Sequence, residues 1–462
     1  MNHASSFNPA LIKRYDLSGP RYTSYPSASQ FDESFGTHDY LAAVQRSRES
    51  ASPISLYVHL PFCSSPCFYC GCNRVITRSR TIAEKYLRRM QSEIDMVSAL
   101  FSGRRPVEQL HVGGGTPTYL SLDQLGQITQ SLDQCFELSE YDAREYSIEI
   151  DPRALGTETI PGLAALGFNR LSIGLQDFDP QVQTAVNRIQ SYEQTRDAMA
   201  QARDFGFRSV SVDLIYGLPF QTVSSFDRTL DQVIQLAPDR VSAYGYAHIP
   251  QLFRAQSQID PTTLPDAQQK LALLQLIVER LQSSGYVHIG MDHFAKPDDE
   301  LARALGDGSL QRNFQGYSTH GGGDLIGFGM SAISRIADTY SQNAKTLDAY
   351  YAALDTGRLP LQRGLQLSAD DLLRRSAIES IMCQGRISYE EFGSRHGIDF
   401  AVRFADALKA LQPLQRDGLV KLDSSGLYVT TAGRFLLRAV AMCFDAYLEP
   451  AASTATRHSR II

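Results

Sequence analysis

Between Ile54 and Met291 the chain alternates short apolar runs with amphipathic stretches, and this rhythm limits the folds open to it. Strand-like apolar runs occupy residues 54–60, 107–112, 146–150, 170–175, 209–215, 240–246 and 286–291. Helical periodicity fills most gaps, over 83–101, 122–136, 158–166, 192–205, 224–236 and 266–281. Nearly continuous apolar strands separated by amphipathic helices make a parallel sheet covered on both faces. Six or seven such units predict an α/β fold, a partial or complete parallel βα barrel. Barrels gather their functional groups at the C-terminal ends of the strands, so the residues just past each apolar run are the ones to read for chemistry.

The 462 residues leave room for more than the barrel. Residues 1–52 read as an N-terminal arm, with a turn- and polyproline-prone stretch from Gly19 to Pro26. The barrel is expected over 53–335. Residues 336–450 read as a small, mainly helical accessory domain: helices at 347–355, 369–383 and 400–411, a hairpin at 419–429, and a last helix from Thr431. Helices followed by a hairpin resemble a winged helix, but no basic stripe marks it for DNA. The polar tail, 451–462, is expected to be disordered. Hydrophobic residues make up 43% and charged residues 20%, the proportions of a soluble globular protein. With 44 basic against 50 acidic residues the net charge is −6, which gives no general pull toward nucleic acid or anionic membrane. No apolar run approaches bilayer length. The first residues show no apolar secretory core, so a cytoplasmic location with reduced thiols is expected. Cys135, Cys383 and Cys443 are scattered and read as small buried hydrophobes.

Four of the seven cysteines fall within ten residues, in the loop after the first strand: Cys63-Ser-Ser-Pro-Cys67-Phe-Tyr-Cys70-Gly-Cys72. Thiolates select soft metals, that is zinc, copper(I) or iron–sulfur. A closed zinc site takes four ligands, which would need Cys72 as well as Cys63, Cys67 and Cys70. Three thiolates at C-x3-C-x2-C suit an iron–sulfur cluster with one iron left open. A local cluster in a long chain argues against a disulfide framework.

The later strand ends carry further polar groups. Gly113-Gly114-Gly115-Thr116 closes the second strand, and glycines there let backbone groups approach a ligand. Glu149 lies one residue before the end of the third, where a carboxylate needs a partner; an ion pair with a barrel arginine is the ordinary reading. Gln176 follows the fourth strand, Arg188 comes soon after, Asp213 lies within the fifth and Ala247 follows the sixth. An Arg188–Asp213 pair would be ordinary. A guanidinium, an amide and a carboxylate around one barrel mouth also suit a zwitterionic ligand.

The cysteine loop after a strand, with Tyr69 before its third cysteine, resembles the signature of the radical S-adenosylmethionine (SAM) superfamily. The resemblance implies a [4Fe-4S] cluster on Cys63, Cys67 and Cys70. Its open iron would chelate SAM and supply the electron that yields a 5′-deoxyadenosyl radical. The Gly-Gly-Gly-Thr-Pro-Thr segment at 113–118 is similar to the branch acting on porphyrin precursors. So are Arg21–Pro26, Cys70–Asn73, residues 290–301, residues 312–317 and Met442–Asp445, so the likeness runs over nearly the whole chain. It implies an oxidoreductase of haem biosynthesis that decarboxylates two propionates of coproporphyrinogen III without oxygen, giving protoporphyrinogen IX.

By the same resemblance Tyr57, Gly114, Glu149 and Ile333 would bind a first SAM, and Tyr69, Gly115, Thr116, Gln176, Arg188, Asp213 and Ala247 a second. Cys72 would serve a redox or electron-exit role rather than ligate. An electron donor such as a flavodoxin-like protein and an unidentified electron acceptor are implied as partners, and a monomer is expected. A substrate with four carboxylates calls for cationic or hydrogen-bonding groups; Arg21, Tyr22, Lys296 and Arg312 in the arm and late loops are the candidates. Two rivals stand beside this reading. One is a haem-binding chaperone of the same superfamily, which usually has an aromatic residue where Cys72 stands. The other is a zinc-stabilised regulator with a winged helix.

Overall fold

The computed structural model describes residues 7–49, 52–101, 103–139 and 144–448, so the tail expected at 451–462 lies outside the described residues. The chain divides into two compact units. One joins Phe31–Pro265 to Gly322–Gln366; the other joins Met1–Gln30, Asp266–Gly321 and Leu367–Ile462.

The larger unit is the βα layer. Its six longer parallel strands are β1 (Ile54–Leu60), β2 (Pro106–Gly114), β3 (Glu145–Ile150), β4 (Arg170–Gln176), β5 (Ser209–Tyr216) and β6 (Arg240–Gly245). They lie side by side in sequence order, all parallel. A seventh, β7 (Leu325–Phe328), pairs parallel to the outer side of β1. The sheet is thus the partial parallel barrel that the rhythm implies. It then continues where the rhythm ends, through antiparallel β8 (Ile333–Ile336), β9 (Thr339–Asn343) and β10 (Leu361–Gln366). Residues 336–366, which the sequence reading assigns to the accessory domain, therefore extend the sheet.

Register explains the placement of the site. Val58, Val112, Ile148, Leu171 and Val210 pair across five strands and are all at most 2% exposed. Each such side chain removed from water contributes roughly 1.5–3 kcal/mol. Side chains alternate faces along a strand, so the neighbouring positions point the other way. That second face carries Tyr57 and His59, His111 and Gly113, Ser147 and Glu149, Ser172 and Gly174, and Asp213.

Helices cover the apolar face. The first, α1 (Arg80–Ser98), buries Ala83, Tyr86, Met90, Glu93, Ile94 and Val97, one stripe at three- and four-residue spacing. Next come α2 (Leu122–Cys135), α3 (Thr159–Ala165), α4 (Tyr192–Asp204) and α5 (Val223–Leu236). Capping boxes start three of them, with Ser121 and Gln124, Ser191 and Gln194, and Thr222 and Ser225 satisfying otherwise orphaned amides.

The smaller unit holds the arm's first part, the helices Ala267–Ser283 and Glu300–Asp307, the hairpins Val287–Gly290/His293–Ala295 and Gln311–Asn313/Gly316–Ser318, and the C-terminal helices. The run expected as a seventh parallel strand is one arm of an antiparallel hairpin. In the C-terminal part the helix Ala369–Gln384 leads into a three-stranded sheet of Arg386–Ser388, Gly426–Val429 and Val420–Leu422, a wing on a helical body. The arm is tied down within this unit. Arg438 donates to the carbonyls of Gly19 and Pro20, Arg21 pairs with Asp292, and the Tyr22 hydroxyl donates to Asp445 at 2.9 Å.

Candidate functional site

The C-terminal ends of β1 to β5 open into a cleft of about 320 Å³ in the larger unit. Its lining includes Cys63, Cys67, Tyr69, Cys70, Cys72, Gly114, Gly115, Thr116, Glu149, Gln176, Arg188 and Asp213. Twelve of the residues singled out in the sequence thus meet in one place, although they come from five strand ends. Tyr57 stands on the floor beside them. Ala247 is linked to Tyr69 through Gln256, whose Nε2 donates to both carbonyls at 3.2 and 3.0 Å. Ile333 lies in β8, outside the lining. Arg21, Tyr22, Lys296 and Arg312 belong to the smaller unit.

The cysteine loop is held by backbone bonds. Gly115 N donates to Leu60 O at 2.7 Å, Thr116 N to Phe62 O at 2.8 Å, and Phe68 N to Val186 O at 3.0 Å. Arg74 reaches back to the carbonyls of Cys70 and Cys67 at 2.9 and 3.2 Å. All seven cysteines are free. Cys67 is buried, Cys63 and Cys70 are half-buried, and Cys72 is exposed. Away from the loop, Cys383 is buried as expected, whereas Cys135 and Cys443 are only half-buried. A hydrogen bond from Cys72, helped by Arg74, pulls the Cys70 thiol below its usual range against the effect of burial. The Cys72 thiol is pushed up as the donor of that pair. Burial pushes Cys63 up to about 11, with the Thr116 hydroxyl, 3.5 Å away, and the more distant Arg74 acting against it.

Three glycines make a cradle under the loop. A Cβ on Gly115 would stand 2.7 Å from Pro61 O, and one on Gly114 would meet the His59 ring at 2.7 Å. Gly114 also has φ +117°, a backbone state that side chains disfavour.

Two histidines fix the floor. His59 Nε2 lies 3.0 Å from the Asn73 carbonyl, so it carries the proton, and Nδ1 accepts from the Tyr57 hydroxyl at 2.9 Å. The ring of Tyr57 stacks on His111 at 5.8 Å. His111 Nε2 donates to Glu149 at 3.2 Å, its Nδ1 faces the Ser147 hydroxyl, and Gly114 N donates to the other Glu149 oxygen at 3.1 Å. Burial pushes the Glu149 carboxyl up, but these bonds and the nearby His59 outweigh it and hold it below its usual range. The partner of Glu149 is thus a histidine, not an arginine. Arg188 likewise pairs with Asp151, at 3.1 Å, rather than with Asp213. Asp213 instead accepts from Ser172 at 3.1 Å, and burial together with Glu149 pushes its carboxyl up to about 6. The sequence reading does not single out His59, His111, Asp151 or Arg153. Their positions at strand ends were the available signal, and their roles depend on neighbours across the sheet.

Among the described residues no group of three or more His, Cys, Asp and Glu side chains is gathered as a single-ion site requires. The donor set is one of thiols lining a cleft, with a guanidinium and a carboxylate beside them, which suits a polynuclear cluster and a zwitterionic ligand. Among the described residues Gln176 Oε1, buried at this wall, has no hydrogen-bond partner, an acceptor placed to receive a ligand's donor. The three glycines let this strand end pack against Glu149, His59 and the Pro61–Phe62 backbone, where any Cβ would clash. The residues present therefore fit a [4Fe-4S] cluster with SAM.

The comparisons with known proteins agree. Residues 57–233 match the model of the radical SAM superfamily, and residues 367–436 match that of the HemN C-terminal domain. The chain is 50% identical over 452 residues to an oxygen-independent coproporphyrinogen III oxidase of Pseudomonas aeruginosa, covering 98% of both chains. It is 49% identical to the protein of the same name from Escherichia coli, again over 98% of each. The solved structure of the Escherichia coli coproporphyrinogen III oxidase, described as a radical SAM enzyme, superposes with a TM-score of 0.91 at 48% identity, over 96% of this chain and 99% of that one. With the cleft, the cradle and the end-to-end likeness in agreement, the chain belongs to the oxygen-independent coproporphyrinogen III oxidase family of the radical SAM superfamily.

Proposed function

We infer that this chain oxidatively decarboxylates coproporphyrinogen III to protoporphyrinogen IX without oxygen, converting two propionates to vinyl groups in haem biosynthesis. The carrying observation is the 50% identity that extends over 98% of the chain. When bound, the cluster and SAM supply the electron and the radical that takes a hydrogen from the propionate.

The chain's own residues hold and orient. Cys63, Cys67 and Cys70 are the cluster ligands in this reading. Tyr57, Gly114, Glu149 and Ile333 contact one SAM; Tyr69, Gly115, Thr116, Gln176, Arg188, Asp213 and Ala247 contact a second. Glu149, kept ionised by His111 and Gly114, offers a carboxylate to cationic or hydroxyl groups. On the substrate side, Arg21 is already paired with Asp292 and Tyr22 with Asp445. Arg312 is 6% exposed, and its Nε and Nη1 have no hydrogen-bond partner among the described residues, which favours it as the carboxylate partner. Lys296 is half-buried and adds positive charge in the same unit. Cys72, exposed and bonded to Cys70, serves electron exit. Full turnover by Cys72→Ser with an intact cluster would remove that role; a loss of turnover at unchanged iron content is expected.

A flavodoxin-like donor and a separate electron acceptor complete the cycle, in the cytoplasm. Among the described residues no helix is long and apolar enough to cross a membrane. The test is anaerobic incubation of the reconstituted chain with SAM, a reductant and coproporphyrinogen III. Release of CO2, with 5′-deoxyadenosine formed only when the porphyrinogen is present, is expected. A haem-binding chaperone would release no CO2, and a chain that takes up neither iron nor sulfide would overturn the reading altogether.

A further inference from the structure

Cys67 differs from the other loop thiols in what faces it. Arg153 Nη2 stands 3.6 Å and Arg188 Nη1 3.7 Å from its sulfur. Cys63 accepts from the Thr116 hydroxyl at 3.5 Å, and Cys70 from the Cys72 amide at 3.4 Å and the Cys72 thiol; Arg74 acts on both, and Arg188 on Cys70, only at longer range. Both guanidiniums converge on Asp151, whose Oδ2 lies 2.6 Å from Arg153 Nη2 and 3.1 Å from Arg188 Nη1. Asp151 caps the start of the turn that follows β3 and accepts from the Arg153 backbone N–H at 3.1 Å, so it positions both the chain and the side chain of Arg153. Arg188 is anchored a second time by the Gly174 carbonyl. The side chains of Arg188 and Asp151 are 8% and 11% exposed, that of Arg153 22%. Two cations and one anion thus leave one net positive charge beside a single sulfur, away from bulk water.

We propose that Arg153, balanced by Asp151, sets the reduction potential of the cluster through the Cys67 sulfur. A thiolate that accepts N–H bonds from cations pushes less charge onto its iron, so an added electron is better tolerated. Hydrogen bonds to the sulfurs and the net local charge are the protein's levers on such potentials, and poor solvent access strengthens both. Arg153 is in this sense a tuning residue that acts through a ligand. The inference rests on the reading that Cys67 is a cluster ligand.

The experiment is a potentiometric titration of the full-length chain, reconstituted anaerobically with iron and sulfide, followed by absorbance and electron paramagnetic resonance. In Arg153→Gln the midpoint is expected to fall by about 59 mV, a tenfold shift of a one-electron equilibrium. In Asp151→Asn, which removes a negative charge and leaves both guanidiniums, it is expected to rise. Opposite signs separate charge tuning from mere support of the turn, which would move both variants the same way and overturn the proposal. An unmoved midpoint in a fully loaded Arg153→Gln overturns it whatever Asp151→Asn does. Should Arg153→Gln fail to load, the sign of the Asp151→Asn shift decides. If neither variant loads, the pair holds the loop and the proposal falls. A wild-type chain that takes up no iron instead overturns the cluster reading itself, and iron and sulfide analysis tells the two failures apart.

Discussion

Asp213 is the one carboxylate of the cleft whose charge changes near neutral pH. Burial and the neighbouring Glu149 push it from the ordinary 3.8 up to about 6, although Ser172 and Ser242 favour the ion. Its raised value means that the folded site holds a proton that a solvated aspartate would release. Below pH 6 the group is mostly neutral and a poor partner for a cationic ligand group; above it the charge is present. SAM affinity is therefore expected to rise as pH is raised through 6, and Asp213→Asn should bind more weakly with that rise removed. Equilibrium binding of SAM between pH 5 and 8 checks both; an unchanged profile in the variant would exclude Asp213 as the titrating group. The cysteines, the glycine cradle, Glu149 and Asp213 were legible in the sequence because strand ends are where barrels keep their chemistry. The pairings were not. Whether Glu149 meets an arginine or His111, and whether Arg188 meets Asp213 or Asp151, is decided by register between strands and by which ring nitrogen carries a proton. Neither is written in a single segment.

At the scale of elements, the six parallel strands and the helices α1 to α5 could be read from period and burial, because each carries its own apolar pattern. Beyond β7 that signal fails. Strands β8 to β10 are four to six residues long and mix polar with apolar side chains, since antiparallel ladders at a sheet margin need no continuous apolar run. One contact that ties this margin to α1 also escapes any pattern. Glu93, on the buried stripe of α1, accepts from Gly329 N at 2.8 Å, Asn343 Nδ2 at 2.6 Å and the Tyr350 hydroxyl at 2.5 Å. Burial nonetheless pushes its carboxyl from 4.5 up to about 7, the three donors lowering it only in part. The folded chain binds a proton there that the unfolded chain releases between those two values. Its contribution to stability is therefore fully present below pH 4.5 and is lost as pH rises through 7. Glu93→Ala leaves three donors without an acceptor and is expected to cost about 1–3 kcal/mol. The difference between variant and wild type should be larger at pH 5 than at pH 8. Urea midpoints at the two pH values measure it, and a difference that does not vary with pH would show that Glu93 does not titrate in this range.

For the molecule as a whole, contiguous reading misplaces the boundaries because the two units are interleaved in sequence. The arm expected over 1–52 changes unit between Gln30 and Phe31, and residues 266–321 interrupt the βα unit before Gly322–Gln366 completes it. No local composition marks those crossings; they follow from which strands pair. The proposed cluster cysteines and SAM contacts fall in the unit of Phe31–Pro265 and Gly322–Gln366; Arg312, a proposed substrate contact, falls in the other. Arg312 lies over the Tyr317 ring at 4.6 Å, an apolar seat that leaves the guanidinium poorly hydrated and raises the value of a carboxylate partner. Arg312→Gln is therefore expected to load iron and bind SAM as the wild type does, yet to bind coproporphyrinogen about tenfold to a hundredfold more weakly, the worth of a charged hydrogen bond of ~1.5–3 kcal/mol. Gln is shorter as well as neutral, so Arg312→Lys, which keeps the charge, is the control: an affinity near the wild type there assigns the loss to the charge. Direct binding of the porphyrinogen to the anaerobic chain checks it, and unchanged affinity would return Arg312 to a structural role beside Tyr317.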